Sequence, residues 1–563
     1  MTFAWTIVAL VVLLAVAWRF LGSYMAAVYE GRVRWLSFVE RPIYRACGVD
    51  PANEQSWPRY GVSVTAFSAV ALLLSYGIFR LQGHLPFNPQ HLPGVSPALS
   101  WNTSVSFVTN TNWQAYSGET TMSYLSQMGA LAVQNFLSAA VGMAVAVALI
   151  RGFARRGSKT IGNFWVDLVR GTIYVLLPIA FVAAVVFMAQ GALQTLAGPV
   201  PIHDALNGVR QVIPRGPVAS QETIKQLGTN GGGFFNANGA SPFENPTGLT
   251  NLLSIALMLC IPVALTYTFG KMVGSTRQGA AIVAVMAIIF AGWLAIGSVA
   301  EHQANPAVAA AGVTYQPAGN VEGKDVRIGD TSSALYNITA TQTSTGAVNS
   351  AMDSYTPMGG FATLTGMMLG EVSPGGTGSG LYTILLFAII TVFIGGLMVG
   401  RTPEYLGKKI QAREVKLAAF GVLVMPITVL VLAAIAVSVR AGRAGPLNAG
   451  PHGFSEILYA FTSVTNNNGS AFAGISVNTA FYNVVTTFGL LLGRFVIIVP
   501  VLALAGALAA KERVAASAGT FRTDQPMFAG LLIGVILIVG ALTFFPATSL
   551  GPIVEQLSHG RFF

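Results

Sequence analysis

Gln226-Leu227-Gly228-Thr229-Asn230-Gly231-Gly232 is a short polar string set between long apolar runs, and it has three counterparts in the chain. These are Ser106-Phe107-Val108-Thr109-Asn110-Thr111-Asn112, Thr343-Ser344-Thr345-Gly346-Ala347-Val348-Asn349 and Ser463-Val464-Thr465-Asn466-Asn467-Asn468-Gly469. Aligning Thr109, Thr229, Thr345 and Thr465 gives intervals of 120, 116 and 120 residues. Even spacing of this kind marks an internal repeat. A lone Asn/Gly/Thr string is usually an exterior turn. Four in register, each after a helix-length segment and before an apolar run, instead predict a repeated unit of helix, re-entrant helix, extended loop and helix.

The surrounding composition says what kind of protein carries them. The 563 residues are 53% hydrophobic and only 9% charged, with a mean hydropathy of +0.62, which excludes an ordinary soluble domain. Runs long enough to span a bilayer fall near 3–22, 60–80, 128–150, 171–194, 250–271, 278–298, 381–400, 417–439, 480–509 and 525–545. The expected fold is therefore all-α and membrane-embedded. It has four units, 60–150, 171–271, 278–400 and 417–509, with one extra helix at each end, 1–22 and 525–545. The first run lacks a basic leader and a cleavage pattern, so it should be retained as a helix.

The net charge of +10 does not point to nucleic acid, because the basic residues sit in short loops between spans. Alternate loops hold 20 Lys and Arg, against 9 in the other set. By the positive-inside rule the richer set is cytoplasmic, which puts both termini and all four polar strings outside. Arg401 falls in the richer set as an anchor.

A re-entrant loop at membrane depth is tolerable only where protein or a water-filled cavity surrounds it. Four such loops around one axis make a pore. A potassium ion sheds its water where backbone carbonyls replace the hydration shell, which requires chain that accepts unusual backbone angles. Gly231, Gly232, Gly346 and Gly469 meet that need, and asparagine is the next most tolerant of positive φ.

The third unit is longer than the others and carries Ser373-Pro374-Gly375-Gly376-Thr377-Gly378-Ser379-Gly380, which cannot remain a regular helix. Apolar sequence on both sides predicts a helix broken within the membrane, a mark of ion paths; an exterior loop before an ordinary span is the alternative. Arg494 lies deep in an apolar run, where a charge is costly without water or a partner. It is either a barrier under a cation filter or half of a structural ion pair. Glu371, just before the break, is a partner for that gate or a surface carboxylate at a helix end.

Catalytic chemistry is missing. No phosphate-binding Gly-x-x-x-x-Gly-Lys string and no Asp-Lys-Thr-Gly string occurs, and no cytoplasmic loop has room for a nucleotide domain. Cys47 and Cys260 suit neither a disulfide nor a metal cluster. The six histidines show no metal-ligand spacing. Residues 299–336 are expected to form an exposed loop.

Thr109-Asn-Thr-Asn-Trp-Gln114, Gly228-Thr-Asn-Gly-Gly-Gly-Phe-Phe-Asn-Ala-Asn238, Pro242-Phe-Glu-Asn-Pro246 and Asn467-Asn-Gly-Ser-Ala-Phe472 resemble the KdpA family, over nearly the whole chain. These are the potassium-binding subunits of bacterial Kdp potassium-transporting P-type ATPases, in the superfamily of potassium transporters. The resemblance implies that Asn110, Thr111, Thr229, Asn230, Gly231, Thr345, Gly346, Asn467, Asn468 and Gly469 form a K+ filter. Gln114, Asn112 and Gly232 would support it. Gly375, Gly376, Gly378, Gly380, Glu371 and Arg494 would form a gate or barrier beneath it. It further implies a bacterial inner-membrane location, with ATP and Mg2+ used only by a partner, the P-type catalytic (KdpB-like) subunit. A single-span KdpC-like subunit and a small KdpF-like membrane peptide complete the implied complex, in which K+ leaves sideways toward the catalytic subunit. The four repeats alone would equally suit a stand-alone Trk/Ktr-like transporter gated by a soluble ring; the long specific strings favour the ATPase subunit.

Overall fold

Inside hydrocarbon every backbone N–H and C=O must find a partner within the protein, so long apolar runs become helices. The structure, a computed structural model, describes residues 3–203, 208, 210–398, 400, 402–514 and 521–558; Arg401 lies outside them. In chain order the helices are α1 (Phe3–Tyr29), α2 (Ser37–Ala46), α3 (Trp57–His84), α4 (Pro97–Val108), α5 (Ser126–Ala154), α6 (Phe164–Ala189), α7 (Val218–Leu227) and α8 (Gly248–Met272). They continue with α9 (Thr276–Glu301), α10 (Asp330–Gln342), α11 (Pro357–Met368), α12 (Ser379–Met398), α13 (Ala412–Ser438), α14 (Gly450–Asn466), α15 (Ala480–Ala509) and α16 (Pro526–Leu557). Ten of these, α1, α3, α5, α6, α8, α9, α12, α13, α15 and α16, are long and apolar enough to cross a membrane, and each corresponds to an expected span. Two small antiparallel hairpins accompany them, β1 (Val200–His203) with β2 (Arg210–Ile213), and β3 (Glu404–Tyr405) with β4 (Lys408–Lys409).

Local sequence sets the helix starts. Pro97, Pro357 and Pro526 stand in first turns, where no N–H is needed. The Asn163 side chain caps α6 by accepting from the Trp165 and Val166 amides, and Thr247 with Thr250 forms a capping box on α8. The bundle is built around α5, which is buried almost without interruption from Ser138 to Ile150. Small residues let its neighbours close in: a Cβ on Gly152 would stand 2.7 Å from the Ala505 carbonyl oxygen of α15.

Several charges inside this bundle are paired. The Arg151 guanidinium donates to both Asp167 oxygens (2.6 and 2.8 Å), and the Tyr60 hydroxyl donates to Asp167 Oδ2 (2.9 Å), which joins α5, α6 and α3. Residues 299–336 are more constrained than an exposed loop. Tyr315 and Val326 do face outward, but Lys324 is buried in an ion pair with Glu301 (2.6 Å), and Asn320 donates to the same carboxylate (2.8 Å). That carboxylate also accepts from the Thr356 amide and hydroxyl, so the segment is fastened to the start of α11.

Lys408 does similar work at the opposite kind of site, a pair of helix ends. Its fully buried ammonium donates to the carbonyls of Arg155, Leu508 (2.7 Å) and Lys511 (2.9 Å), beside the last turns of α5 and α15. It thereby satisfies carbonyls that a helix end leaves without partners. Lys408→Met should lower the thermal inactivation midpoint of the detergent-solubilised protein, by a destabilisation of about 2 kcal/mol. Lys409→Met, at the exposed neighbouring position, should leave the midpoint unchanged.

Candidate ion-selective pore

Helices α4, α7, α10 and α14 end in the same way. The amides of Thr111, Asn230, Thr345 and Asn468 each reach back five residues, to the carbonyls of Ser106, Lys225, Ala340 and Ser463, at 2.9, 2.9, 3.0 and 2.9 Å. The residue just before each of these amides is left-handed: Asn110 (φ 70°), Thr229 (49°), Ser344 (55°) and Asn467 (59°). The true register is therefore set at Thr111, Asn230, Thr345 and Asn468. The threonine alignment is displaced from it by two residues at Thr109, one at Thr229 and three at Thr465. The structure repeats the point where the helix stops, and residue type follows that point only loosely.

The four strings close into a ring. Asn110 Nδ2 donates to the Thr229 carbonyl (3.1 Å), and Asn112 Nδ2 donates to the Gly231 carbonyl (2.8 Å), which joins the first string to the second. The Gly346 amide donates to the Asn230 carbonyl (3.2 Å), joining the third. Asn468 Nδ2 donates to the Ala340 carbonyl (3.0 Å) near the end of α10, and Asn467 Nδ2 to Thr111 Oγ1 (3.0 Å), so the fourth string meets both the helix that carries the third string and the first string itself. The backbones approach too closely for side chains. A Cβ on Gly231 would stand 2.0 Å from the Gly346 nitrogen, and one on Gly469 would stand 1.8 Å from the Thr111 oxygen. Gly231, Gly232 and Gly469 have positive φ as expected; Gly346 does not, and is required by its approach to Asn468 and Gly469 instead. The supporting positions bridge the same ring: Gln114 Nε2 donates to the Gly233 carbonyl (3.1 Å), and Asn112 also bonds Asn135 (2.6 Å).

A cavity lies on each side. Above is a vestibule of about 550 Å³ lined by Asn112, Gly232, Gly346 and Gly469, one residue from each string, with no charged residue in its lining. Below is a narrow cavity of about 50 Å³ lined by Ser344, Asn467, Glu371, Arg494 and residues of α12, α13 and α16.

The loop of the broken third unit borders the lower cavity through Gly370, Glu371 and Ser379. Helix α11 stops at Met368 and α12 starts at Ser379, and the intervening loop is tied to the ring: the Gly375 amide donates to the Gln342 carbonyl (2.8 Å), and the Thr377 amide to Thr229 Oγ1 (2.7 Å). Its glycines are required by contact. Cβ atoms on Gly375, Gly376, Gly378 and Gly380 would stand 2.0 Å from the Glu371 oxygen, 2.9 Å from Ser344, 2.1 Å from the Gly142 oxygen and 2.0 Å from the Pro374 oxygen. Glu371 is buried, not a surface carboxylate; its oxygens accept from the Ser344 hydroxyl and from Asn468 Nδ2 (2.8 Å), so it ties the third string to the fourth. Arg494 is 4% exposed and has no ion-pair partner among the described residues. Its Nη2 donates to the Ser138 carbonyl (3.1 Å), and the Ser138 hydroxyl in turn donates to Asn110 Oδ1 (2.8 Å). The structural ion pair is thus not formed, and Arg494 and Glu371 line one cavity without touching.

Two features were missed in the sequence. Lys225, fully buried in α7 directly behind the second string, is paired with Glu222 and Glu244. Its signal was available, since an ionisable residue in a re-entrant helix demands a partner. The second lies at the vestibule side, where the scattered histidines led us to expect no cluster. His452 Nε2 faces Asp353 Oδ1 (2.9 Å) and Nδ1 faces Glu555 Oε1 (2.8 Å), with Glu456 and Asn448 adjacent. With a carboxylate facing each ring nitrogen, a doubly protonated imidazolium fits the site as a clasp between two acids. Three distant stretches of chain meet there, and only folding shows it.

Comparison with known proteins matches residues 7–557 to the family described as potassium-transporting ATPase A subunit, KdpA. A relative from Methylorubrum extorquens is 54% identical over 544 residues, covering 96% of this chain and 95% of its own. Relatives from Mesorhizobium japonicum (53% identical, 96% of each chain) and Mycobacterium bovis (53%, 98% of each) carry the same name, potassium-transporting ATPase potassium-binding subunit.

The clasp predicts a pH dependence. Burial opposes the His452 charge, but the hydrogen bonds to Asp353 and Glu555 outweigh it and raise the pKa from the ordinary 6.5 to about 10. Burial, with the Asp353 charge, pushes Glu456 up from 4.5 to about 7. Both groups hold their protons more tightly when folded, so both contributions fade as pH rises, Glu456 between 4.5 and about 7 and His452 between 6.5 and about 10. The thermal midpoint, measured against pH, should fall across both windows; His452→Gln should flatten the upper one and Glu456→Gln the lower.

Proposed function

Because the chain belongs to the family of potassium-transporting ATPase A subunits, we propose that it is the potassium-selecting subunit of an ATP-driven uptake complex. The observation that carries this reading is the closed ring of four helix-terminating strings between a wide vestibule and a narrow, obstructed cavity. Four repeats of helix, pore helix, loop and helix, 60–150, 171–271, 278–400 and 417–509, supply the strings. The vestibule faces the periplasm, both termini lie on that side, and the membrane is the bacterial inner membrane; the excess of basic residues in the alternate loops supports this orientation.

Potassium enters the neutral vestibule and exchanges water for oxygens of Asn110, Thr111, Thr229, Asn230, Gly231, Thr345, Gly346, Asn467, Asn468 and Gly469. Gln114, Asn112 and Gly232 keep adjacent strings at fixed spacing. Beneath them the loop with Gly375, Gly376, Gly378 and Gly380 occludes the axis, Glu371 fixes the third and fourth strings, and the Arg494 charge repels a cation moving straight on. The lower cavity is bounded laterally by Thr383 and Phe387 of α12 and by Ile536, Val539, Gly540 and Thr543 of α16, which supports a sideways exit. The ion passes from there to a P-type catalytic subunit, which uses ATP and Mg2+; a single-span accessory subunit and a small membrane peptide complete the assembly.

In the complex purified with its partners, Gly231→Asp should weaken the apparent potassium affinity of ATP hydrolysis by about tenfold or more, equivalent to about 1.4 kcal/mol. An unchanged affinity, or free potassium conduction by the isolated chain in liposomes, would sink the proposal. Removing the charge with Arg494→Gln should raise potassium leak from loaded vesicles without ATP, measured with a potassium-selective electrode.

A further inference from the structure

Helix α2 joins the membrane spans α1 and α3, so the bilayer surface is where it must lie. One side of it is fastened inward. The Glu40 carboxylate accepts from Arg170 Nε (2.8 Å), from the Tyr174 hydroxyl (2.9 Å) and from the Tyr44 hydroxyl (2.8 Å), so one buried acid holds α2 against the start of α6. That attachment fixes which face looks away. Phe38, Arg41, Pro42 and Arg45 follow at helical spacing on the exposed side, with Phe38 72% exposed, and Trp35, 56% exposed, precedes them. Trp35 is not loose: its Nε1 donates to the Tyr24 hydroxyl (3.1 Å) and its ring stands edge-on to Tyr174.

The charge on this face is unbalanced. Arg32 is paired with Glu30, but Arg34, Arg41 and Arg45 have no ion-pair partner among the described residues. Guanidinium groups alternating with Phe38, Pro42 and Trp35, on a helix held at the boundary by two spans, match a phosphate layer lying over acyl chains. Water alone would leave the aromatic rings exposed at a cost, and the bare hydrocarbon would do the same to the arginines.

We propose that the outer face of α2 binds anionic phospholipid headgroups, with Trp35 and Phe38 set among the upper acyl carbons and Arg34, Arg41 and Arg45 on the phosphates. This rests on membrane insertion alone and not on the filter or the direction of transport, so it can fail while the transport reading stands. The occupant is lipid because the two spans deliver the helix to the headgroup layer and the unpaired charges are all of one sign.

Exposed Cys47, just past the end of α2, offers a reporter for an environment-sensitive fluorophore in the assembled complex, with Cys260 and any partner cysteines replaced. Short-chain phosphatidylglycerol titrated into neutral detergent should give a saturable response that phosphatidylcholine and glycerol phosphate do not. Arg41→Gln with Arg45→Gln should weaken it roughly thirtyfold, at about 1 kcal/mol for each arginine, while Arg41→Lys with Arg45→Lys retains it. Potassium-stimulated ATP hydrolysis in each variant reports that the complex is folded. An equal response to phosphatidylcholine, or an unweakened Gln variant, overturns the proposal. So does a reporter at position 38 shielded from both brominated lipid and aqueous quencher, which would mean that a partner subunit covers the face.

Discussion

A chain that leaves the helical state inside an apolar bundle must give its freed backbone groups partners, either from the protein or from a water-filled cavity. Four stretches of this chain do so, and most of the structure follows from how they manage it. No string is self-sufficient. Asn110 and Asn112 bond the second string, Gly346 bonds it from the other side, and Asn467 and Asn468 reach the first string and the helix that carries the third. Buried Lys225 with its two carboxylates, Ser138 and Glu371 then form a polar layer around the ring, and the apolar helices form the layer beyond it. Polar groups that would each be costly alone in the membrane become one connected network, in which some oxygens of the strings, Asn112 Oδ1, Asn230 Oδ1 and Thr465 Oγ1 among them, keep no partner from the protein.

The ring is not uniform. Three of its strings place a left-handed residue two positions after the first, at Asn112, Gly231 and Gly469, whereas the third does not do so at Gly346. The third unit also contributes the loop between α11 and α12, whose glycines meet Gly142, Glu371 and Ser344 at distances that allow no side chain. The same unit thus departs from the others both in the ring and beneath it. Arg494, in α15, reaches α5 close to the point where Gly378 does, so the charge and the loop meet α5 within one turn.

Much of this was legible from residues. All ten spans stand where apolar length put them, and the helix break expected at Ser373–Gly380 from the chemistry of proline and glycine is observed a little earlier, at Leu369–Gly378. The strings themselves were visible, but their register was not: threonines are common near the ends of these helices, while the backbone bond that defines the end carries no fixed residue type. Pairings were the other blind spot. That Glu371 bonds Ser344 and Asn468 and leaves Arg494 without a carboxylate depends on which turn each residue occupies after packing. The His452 clasp joins segments about a hundred residues apart, a distance over which spacing in sequence says nothing.

All four strings belong to one polypeptide, as the ring bonds between Asn110, Asn230, Gly346 and Asn467 record. In an assembly of four identical subunits, any inherited change in a pore residue arrives at all four positions at once, and most such changes would be lethal to the opening. Here a change at Gly346 touches a single quadrant. Natural selection can therefore adjust one wall of the ring while the other three keep their form, and the divergence of the third quadrant is the sort of history that a fused gene makes available.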